Sequence, residues 1–227
     1  MSTVEQLINL NDLSPKAQKH VSHVYSILSG GVIISVLSGY ISSFGLIPAG
    51  LIYFGFMLNM IFELAIFFMG KRINQTYRMY SFYAITFLIG AAIGGGFSTL
   101  TGKALIEAKS IILSSAIITA SLFSAITVFS FLTAKRAVIL LGSLLVSLVL
   151  SVISIFMYNS PTKIILGLII GCLYVVTDTQ LMIQKAENGV FEPYTDARQL
   201  FYDLVKIFVE IMKLLNENNK KKKKDDN

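Results

Sequence analysis

The sequence has little charge, little histidine and almost no cysteine. Charged residues make up 14% of its 227 positions, against roughly a quarter in an ordinary soluble domain. The 152 residues from Ser26 to Thr177 hold only ten charges: Glu63, Lys71, Arg72, Arg78, Lys103, Glu107, Lys109, Lys135, Arg136 and Lys163. This scarcity excludes a soluble globular domain and a disordered chain. Cys172 stands alone, so no internal disulfide forms. His20 and His23 both precede the first apolar run, which excludes an intramembrane histidine cluster serving as metal site or base. No serine sits in an elbow motif beside a base, so the chain does not read as an enzyme. The first 25 residues are polar and mixed, unlike a cleavable signal peptide. The net charge of +6 owes five units to Lys220–Lys224, so it belongs mainly to a tail, and no nucleic-acid partner is expected.

What is present is apolar: 54% of the residues, with a mean hydropathy of +0.69. The uncharged runs are Ser26–Phe62, Met79–Gly102, Ser110–Ala134, Ala137–Thr162 and Ile164–Thr177. A crossing helix needs about 20 apolar residues. The first run is long enough for two spans, and Gly45 and Pro48 break it. Spans are therefore expected at about 26–44, 47–69, 79–100, 110–133, 137–158 and 163–184. A membrane barrel would alternate apolar and polar residues, and these runs do not. The fold class is all-α, a polytopic membrane protein. The expected organisation is a cytosolic segment 1–25, a helical membrane domain 26–215 and a Lys-rich disordered tail 216–227.

Segment 196–215 is amphipathic. Asp196, Gln199, Asp203, Lys206, Glu210 and Lys213 share a stripe about 100° wide, and ten apolar residues fill the rest. It reads either as a helix lying in the headgroup plane or as a seventh, central segment with its polar stripe inward. Lys and Arg near the span ends number nine on the N-terminal side and three on the other, which makes the N-terminus cytosolic. A re-entrant last segment reconciles a cytosolic Lys220–Lys224 with that count, whereas a full seventh crossing overrides it. The tail suits either contact with anionic membrane lipid or solvated disorder. The sequon Asn74-Gln75-Thr76 falls in a cytosolic loop and is silent.

Acidic residues in spans cost about 2.5–3.5 kcal/mol each at the centre on insertion scales, so each calls for a function or a partner. Asp178 shares a helical face with Gly167, Gly171 and Tyr174. The GxxxG step admits another backbone, and the nearest visitor is 196–215. A hairpin turning near Gly189–Pro193 puts Asp178 and Asp203 at similar depth. Desolvation and mutual repulsion favour one proton held between such a pair. Loss of that proton would open the pair or let it accept a hard cation such as Ca²⁺. The plainer reading pairs Asp203 with Lys206 and Glu210 with Lys213 at helical spacing. Glu63 lies one turn after Asn59, and either snorkels or pairs with Lys71 or Arg72, or serves as a third pore acid. Gly90, Gly94, Gly95 and Gly96 point to close helix packing or a broken ion-binding helix.

Four patches in order resemble the Bax inhibitor family (the transmembrane Bax inhibitor motif proteins). They are Leu13-Ser14-Pro15 through His20-Val21 to Val24-Tyr25, Arg78 with Leu88-Ile89-Gly90 to Gly94, Thr177-Asp178-Thr179-Gln180 with Lys185-Ala186-Glu187-Asn188-Gly189, and Leu200-Phe201-Tyr202-Asp203 to Phe208. The resemblance covers about residues 13–224 and is to eukaryotic members. It implies six spans around a central seventh or re-entrant helix. It also implies a pH-sensitive Ca²⁺ leak of the endoplasmic reticulum that suppresses cell death, with Asp178 and Asp203 as proton sensor and gate. Bcl-2-type partners belong to the same picture, and Ca²⁺ enters as permeant ion rather than cofactor. The alternatives are a non-conducting scaffold for cell-death or Ca²⁺-handling partners and a proton-coupled Ca²⁺ exchanger. One departure stands out: some relatives place a basic residue inside the second span to hold the aspartates, and this chain has Glu63 there. The closed state would then rest on the shared proton or on Lys206. The chain's last four residues form no dilysine or KDEL-type signal.

Overall fold

The computed structural model describes residues 13–69, 73–96, 102–132, 143, 145–147, 149–150 and 160–225, with side chains from 106 to 131 in the third stretch and from 161 to 219 in the last. Among these residues the backbone is helical and turn, without strand. Six helices are bounded: α1 Pro15–Ser43, α2 Ala49–Met69, α3 Gln75–Gly95, α4 Gly102–Leu132, α5 Ser160–Glu187 and α6 Pro193–Asp225. The expected span 137–158 lies outside the described residues except for 143, 145–147, 149 and 150, which are helical.

Helix ends follow local chemistry. Ser14 caps α1, its Oγ accepting from Ala17 N at 3.3 Å, and Pro15 takes the first helical position, where a missing N–H costs nothing. Asn74 caps α3 by accepting from Thr76 N. Gly45, with φ 72°, turns the chain between α1 and α2, and Gly189, with φ 78°, turns it between α5 and α6.

Three boundaries differ from the sequence expectation. α1 starts at Pro15 rather than near 26, and α4 at Gly102 rather than near 110. At 1.5 Å per residue the 29 residues of α1 run about 44 Å, well past a hydrocarbon core of about 30 Å. Apolar length marks the membrane, and the helix continues beyond it. The third correction is the tail, read as disordered from 216: α6 stays helical to Asp225. Lysine is a good helix former, and cations at a helix C-terminus meet the negative end of the macrodipole.

Among the described residues four helices, α1, α2, α4 and α5, are long and apolar enough to cross a membrane. α2 exposes Tyr53 at 72%, Phe67 at 77% and Phe68 at 81%. Apolar surface on this scale is a liability in water and ordinary in lipid. The protein is an integral multi-pass membrane protein.

The described chain forms two compact units. One comprises residues 22–108 and 192–201. Within it α3 lies backbone to backbone on α1. A Cβ at Gly90 would fall 2.0 Å from the Ser35 carbonyl oxygen, and one at Gly94 would fall 1.9 Å from that of Gly39. Gly55 of α2 likewise receives the Leu88 side chain of α3. The other unit comprises residues 1–21, 109–191 and 202–227. There α5 and α6 run antiparallel, and Ser14 N donates to Glu187 Oε1 at 2.8 Å while the His20 ring meets that of Phe191 at a tilt, 5.4 Å between centres.

The α1–α3 contact leaves no room for a methyl group. Gly94→Ala is expected to cost about 1–3 kcal/mol, read as a lower unfolding midpoint in detergent. Gly50→Ala, where nothing lies within 4 Å, should leave the midpoint unchanged or slightly higher. Equal midpoints for the two variants would contradict the backbone contact.

Candidate functional site

The unit holding most of α5 and α6 brings the acid pair together. Along α5, Gly167, Gly171, Tyr174 and Asp178 follow one another on a single face. Along α6, Glu210, Ile207, Lys206 and Asp203 meet them in reverse order. A Cβ at Gly167 would lie 3.0 Å from Glu210 Cδ, and one at Gly171 would lie 3.0 Å from Ile207 Cγ1. Lys206 Nζ sits 4.2 Å above the centre of the Tyr174 ring, a cation–π contact. At the end of the series the carboxyls of Asp178 and Asp203 come within hydrogen-bonding reach of one another.

Asp203 is 7% exposed, and its Oδ2 finds no hydrogen-bond partner among the described residues. Asp178 is half-buried. Lys206 is the near cation, with Asp203 and Glu210 as its neighbouring acids. Glu210 also takes Lys213 at 2.9 Å, the helical pairing expected from spacing. Among the described residues no group of three or more His, Cys, Asp or Glu converges as a metal site. Two carboxyls beside a cation form a place where a single proton can balance charge.

The neighbouring part of α5 carries polar residues that spacing alone did not single out. Ser143 and Thr177 hydroxyls meet at 2.6 Å, and Thr177 donates onward to the Leu173 carbonyl at 2.9 Å. Gln180 Nε2 donates to Ser130 Oγ at 3.1 Å and to the Ser130 carbonyl, and Ser130 Oγ lies 3.5 Å from the Val176 carbonyl. Gln180 and Ser130 are each 1% exposed. The available signal was the recurrence of Ser115, Thr119, Thr127 and Ser130 on one face of a helix uncharged from Ser110 onward.

Glu63 belongs to the other unit, and its partners differ from those expected. Ser81 Oγ of α3 donates to its Oε1, and Arg198 Nη1 of α6 donates to its Oε2. Lys71 and Arg72, the partners suggested by spacing, lie outside the described residues. Arg78 of α3 donates to Thr195 Oγ1 at 2.9 Å and approaches Glu192 Oε1 at 3.8 Å. Phe82 meets Phe201 edge-on at 6.2 Å beside this cluster. Gln199, on the same stretch of α6, is half-buried. The acid of α2 thus meets a cation supplied by α6.

The comparisons with known proteins point to one family. The family described as "Inhibitor of apoptosis-promoting Bax1" (Bax1-I) matches residues 17–220. The chain belongs to the Bax inhibitor family. It is 28% identical to "Probable Bax inhibitor 1" of Paralichthys olivaceus over 97% of this chain and 95% of the relative. It is 29% identical to "Bax inhibitor 1 homolog" of Dictyostelium discoideum, over 96% and 90%. Against human "Bax inhibitor 1" the identity is 26%, over 97% and 95%. Two patches that carry the Bax inhibitor resemblance are also in contact, since Ser14 and His20 of the first meet Glu187 and Phe191 around the third.

The ion pair of Glu63 with Arg198 is partly exposed, at 26% and 13% of the side chains. Its loss should cost less than the 3–5 kcal/mol of a fully buried pair. Glu63→Gln and Arg198→Gln are each expected to lose about 1–3 kcal/mol, and the double variant less than their sum. Thermal unfolding in detergent measures this cycle, and strictly additive losses would show that the pair carries no coupling.

Proposed function

We propose that this Bax inhibitor family protein is a pH-sensitive Ca²⁺ leak of the endoplasmic reticulum membrane and a negative regulator of apoptosis. In this reading the N-terminus is cytosolic and α6 is the central, seventh or re-entrant, helix among six spans. The observation that carries it is the contact of Asp178 with Asp203. Two touching carboxylates in a water-poor site do not readily both ionise, and a single shared proton removes the repulsion. With that proton the pair carries one negative charge, which Lys206 beside it offsets, and Glu210 is paired with Lys213. Loss of the proton leaves one uncompensated negative charge where a cation can be drawn in. Acid therefore closes the site and alkali opens it.

The role in apoptosis is supported by the family's description and by the names of the relatives. The cytosolic N-terminus is supported by the excess of Lys and Arg on that side. Membrane lipid is the surrounding partner in this reading, Ca²⁺ is the cargo, and Bcl-2-type proteins are the candidate protein partners.

Purified protein in Ca²⁺-loaded liposomes tests the reading. The wild type should leak more as pH rises, by at most about tenfold per unit for one proton. Asp178→Asn with Asp203→Asn should flatten that dependence, because amides do not titrate in this range. An unchanged pH profile in the double variant would refute the aspartate gate. Absence of flux from pure wild-type protein would favour a scaffold, and stoichiometric, saturable counter-movement of protons an exchanger.

A further inference from the structure

The described part of α4 from Ser110 to Phe131 has no charged residue, yet one of its faces is polar and buried. Ser115, Thr119, Thr127 and Ser130 are 0%, 2%, 7% and 1% exposed. They span 15 residues, about 22 Å of helix, which is most of a hydrocarbon core of about 30 Å.

A helical serine or threonine in an apolar setting has a ready partner, the carbonyl four residues back. Ser115 donates to the Ile111 carbonyl at 2.7 Å, and Ser121, on an exposed face, donates to that of Ile117 at 2.9 Å. Thr119 and Thr127 do not use this outlet. Their Oγ1 atoms are buried and find no hydrogen-bond partner among the described residues. An independent observation comes from α5. The Gln180 amide is held at Ser130 through its nitrogen, while its Oε1 is buried and likewise without a partner. Thr179 Oγ1, on a residue 0% exposed, is in the same state.

Buried polar atoms left bare are costly, and native structures meet that demand with ordered water when no side chain does. Every oxygen here is neutral. A tightly bound ion would require carboxylates, whereas hydroxyls and an amide oxygen suit water and a cation in transit.

We propose that the buried face of α4 from Ser115 to Ser130, with Gln180 of α5 at its Ser130 end, is a water-filled path through which the leaking cation passes. The hydration stands on the unpartnered oxygens; its use by Ca²⁺ rests on the leak reading above.

Cysteine accessibility tests it. In a Cys172→Ser background, Thr119→Cys and Thr127→Cys should react with a cationic, water-soluble methanethiosulfonate at least about tenfold faster than Ile117→Cys and Val128→Cys, because a thiol reacts as the hydrated thiolate. Ile117 and Val128 are 59% and 48% exposed and face lipid. Hydroxyl-radical footprinting of the unaltered protein supplies a check that needs no substitution. Phe123, 6% exposed between the two threonines, should be oxidised well above Phe82, 0% exposed. Reaction at 119 and 127 that also slows Ca²⁺ efflux supports the whole proposal. Reaction with efflux unchanged overturns its use by the cation. Reaction in a protein that passes no Ca²⁺ supports the hydrated face while the leak reading fails. Cysteines as inert as the lipid-facing controls, with Phe123 protected, overturn the proposal and leave the aspartate pair untouched.

Discussion

The hairpin of α5 and α6 depends on two places where no side chain stands. At Gly167 and Gly171 the α5 backbone is bare, and Glu210 and Ile207 settle against it. A methyl group at either would press on those side chains, and a bulky residue would push α6 outward. With the glycines in place the register is set, so Tyr174 lies under Lys206 and Asp178 meets Asp203. The turn at Gly189, in a backbone conformation that glycine adopts without strain, closes the hairpin at the matching length. The chemistry of the acid pair is thus a consequence of helix packing: two carboxyls that would repel in isolation are held together by contacts two and three turns away.

The other unit meets the same demand differently. An acid on an apolar helix requires donors, and Glu63 has two, the Ser81 hydroxyl and the Arg198 guanidinium. A long side chain with several donors suits this task better than a lysine would. Glycine contacts recur as well: α3 lies on the α1 backbone at Gly90 and Gly94, where on α5 the glycines receive side chains of α6. Association of helices in lipid rests on such small-residue contacts, because apolar side chains gain nothing by leaving lipid for protein.

The spans in α1, α2, α4 and α5 were legible because hydropathy is a local property. The breaks at Gly45 and Gly189 and the GxxxG face of α5 were legible for the same reason. Helix ends were less so, because the membrane sets how long the apolar stretch must be and not where the hydrogen-bonded helix stops. That is why α1 begins at Pro15 and α6 runs to Asp225. The meeting of Asp178 and Asp203 was anticipated from a short turn and equal arm lengths. The polar partners were not. Ser130 and Gln180 lie 50 residues apart, and Glu63 and Arg198 lie 135 apart. Nothing local distinguishes Arg198 from a loop cation that sets orientation, or Ser130 from a serine bonded to its own helix.

By itself the sequence determined that this chain lives in a membrane, that it is helical, which family it resembles and which two acids an antiparallel hairpin would align. Each of these follows from composition, periodicity or order along the chain. Only the tertiary structure decided which donor answers Glu63, that Lys206 rests on Tyr174, and which hydroxyls of α4 are left without a partner. Those depend on the approach of segments far apart in sequence. In an apolar surrounding, the free energy of a polar atom is set by whichever partner that approach supplies.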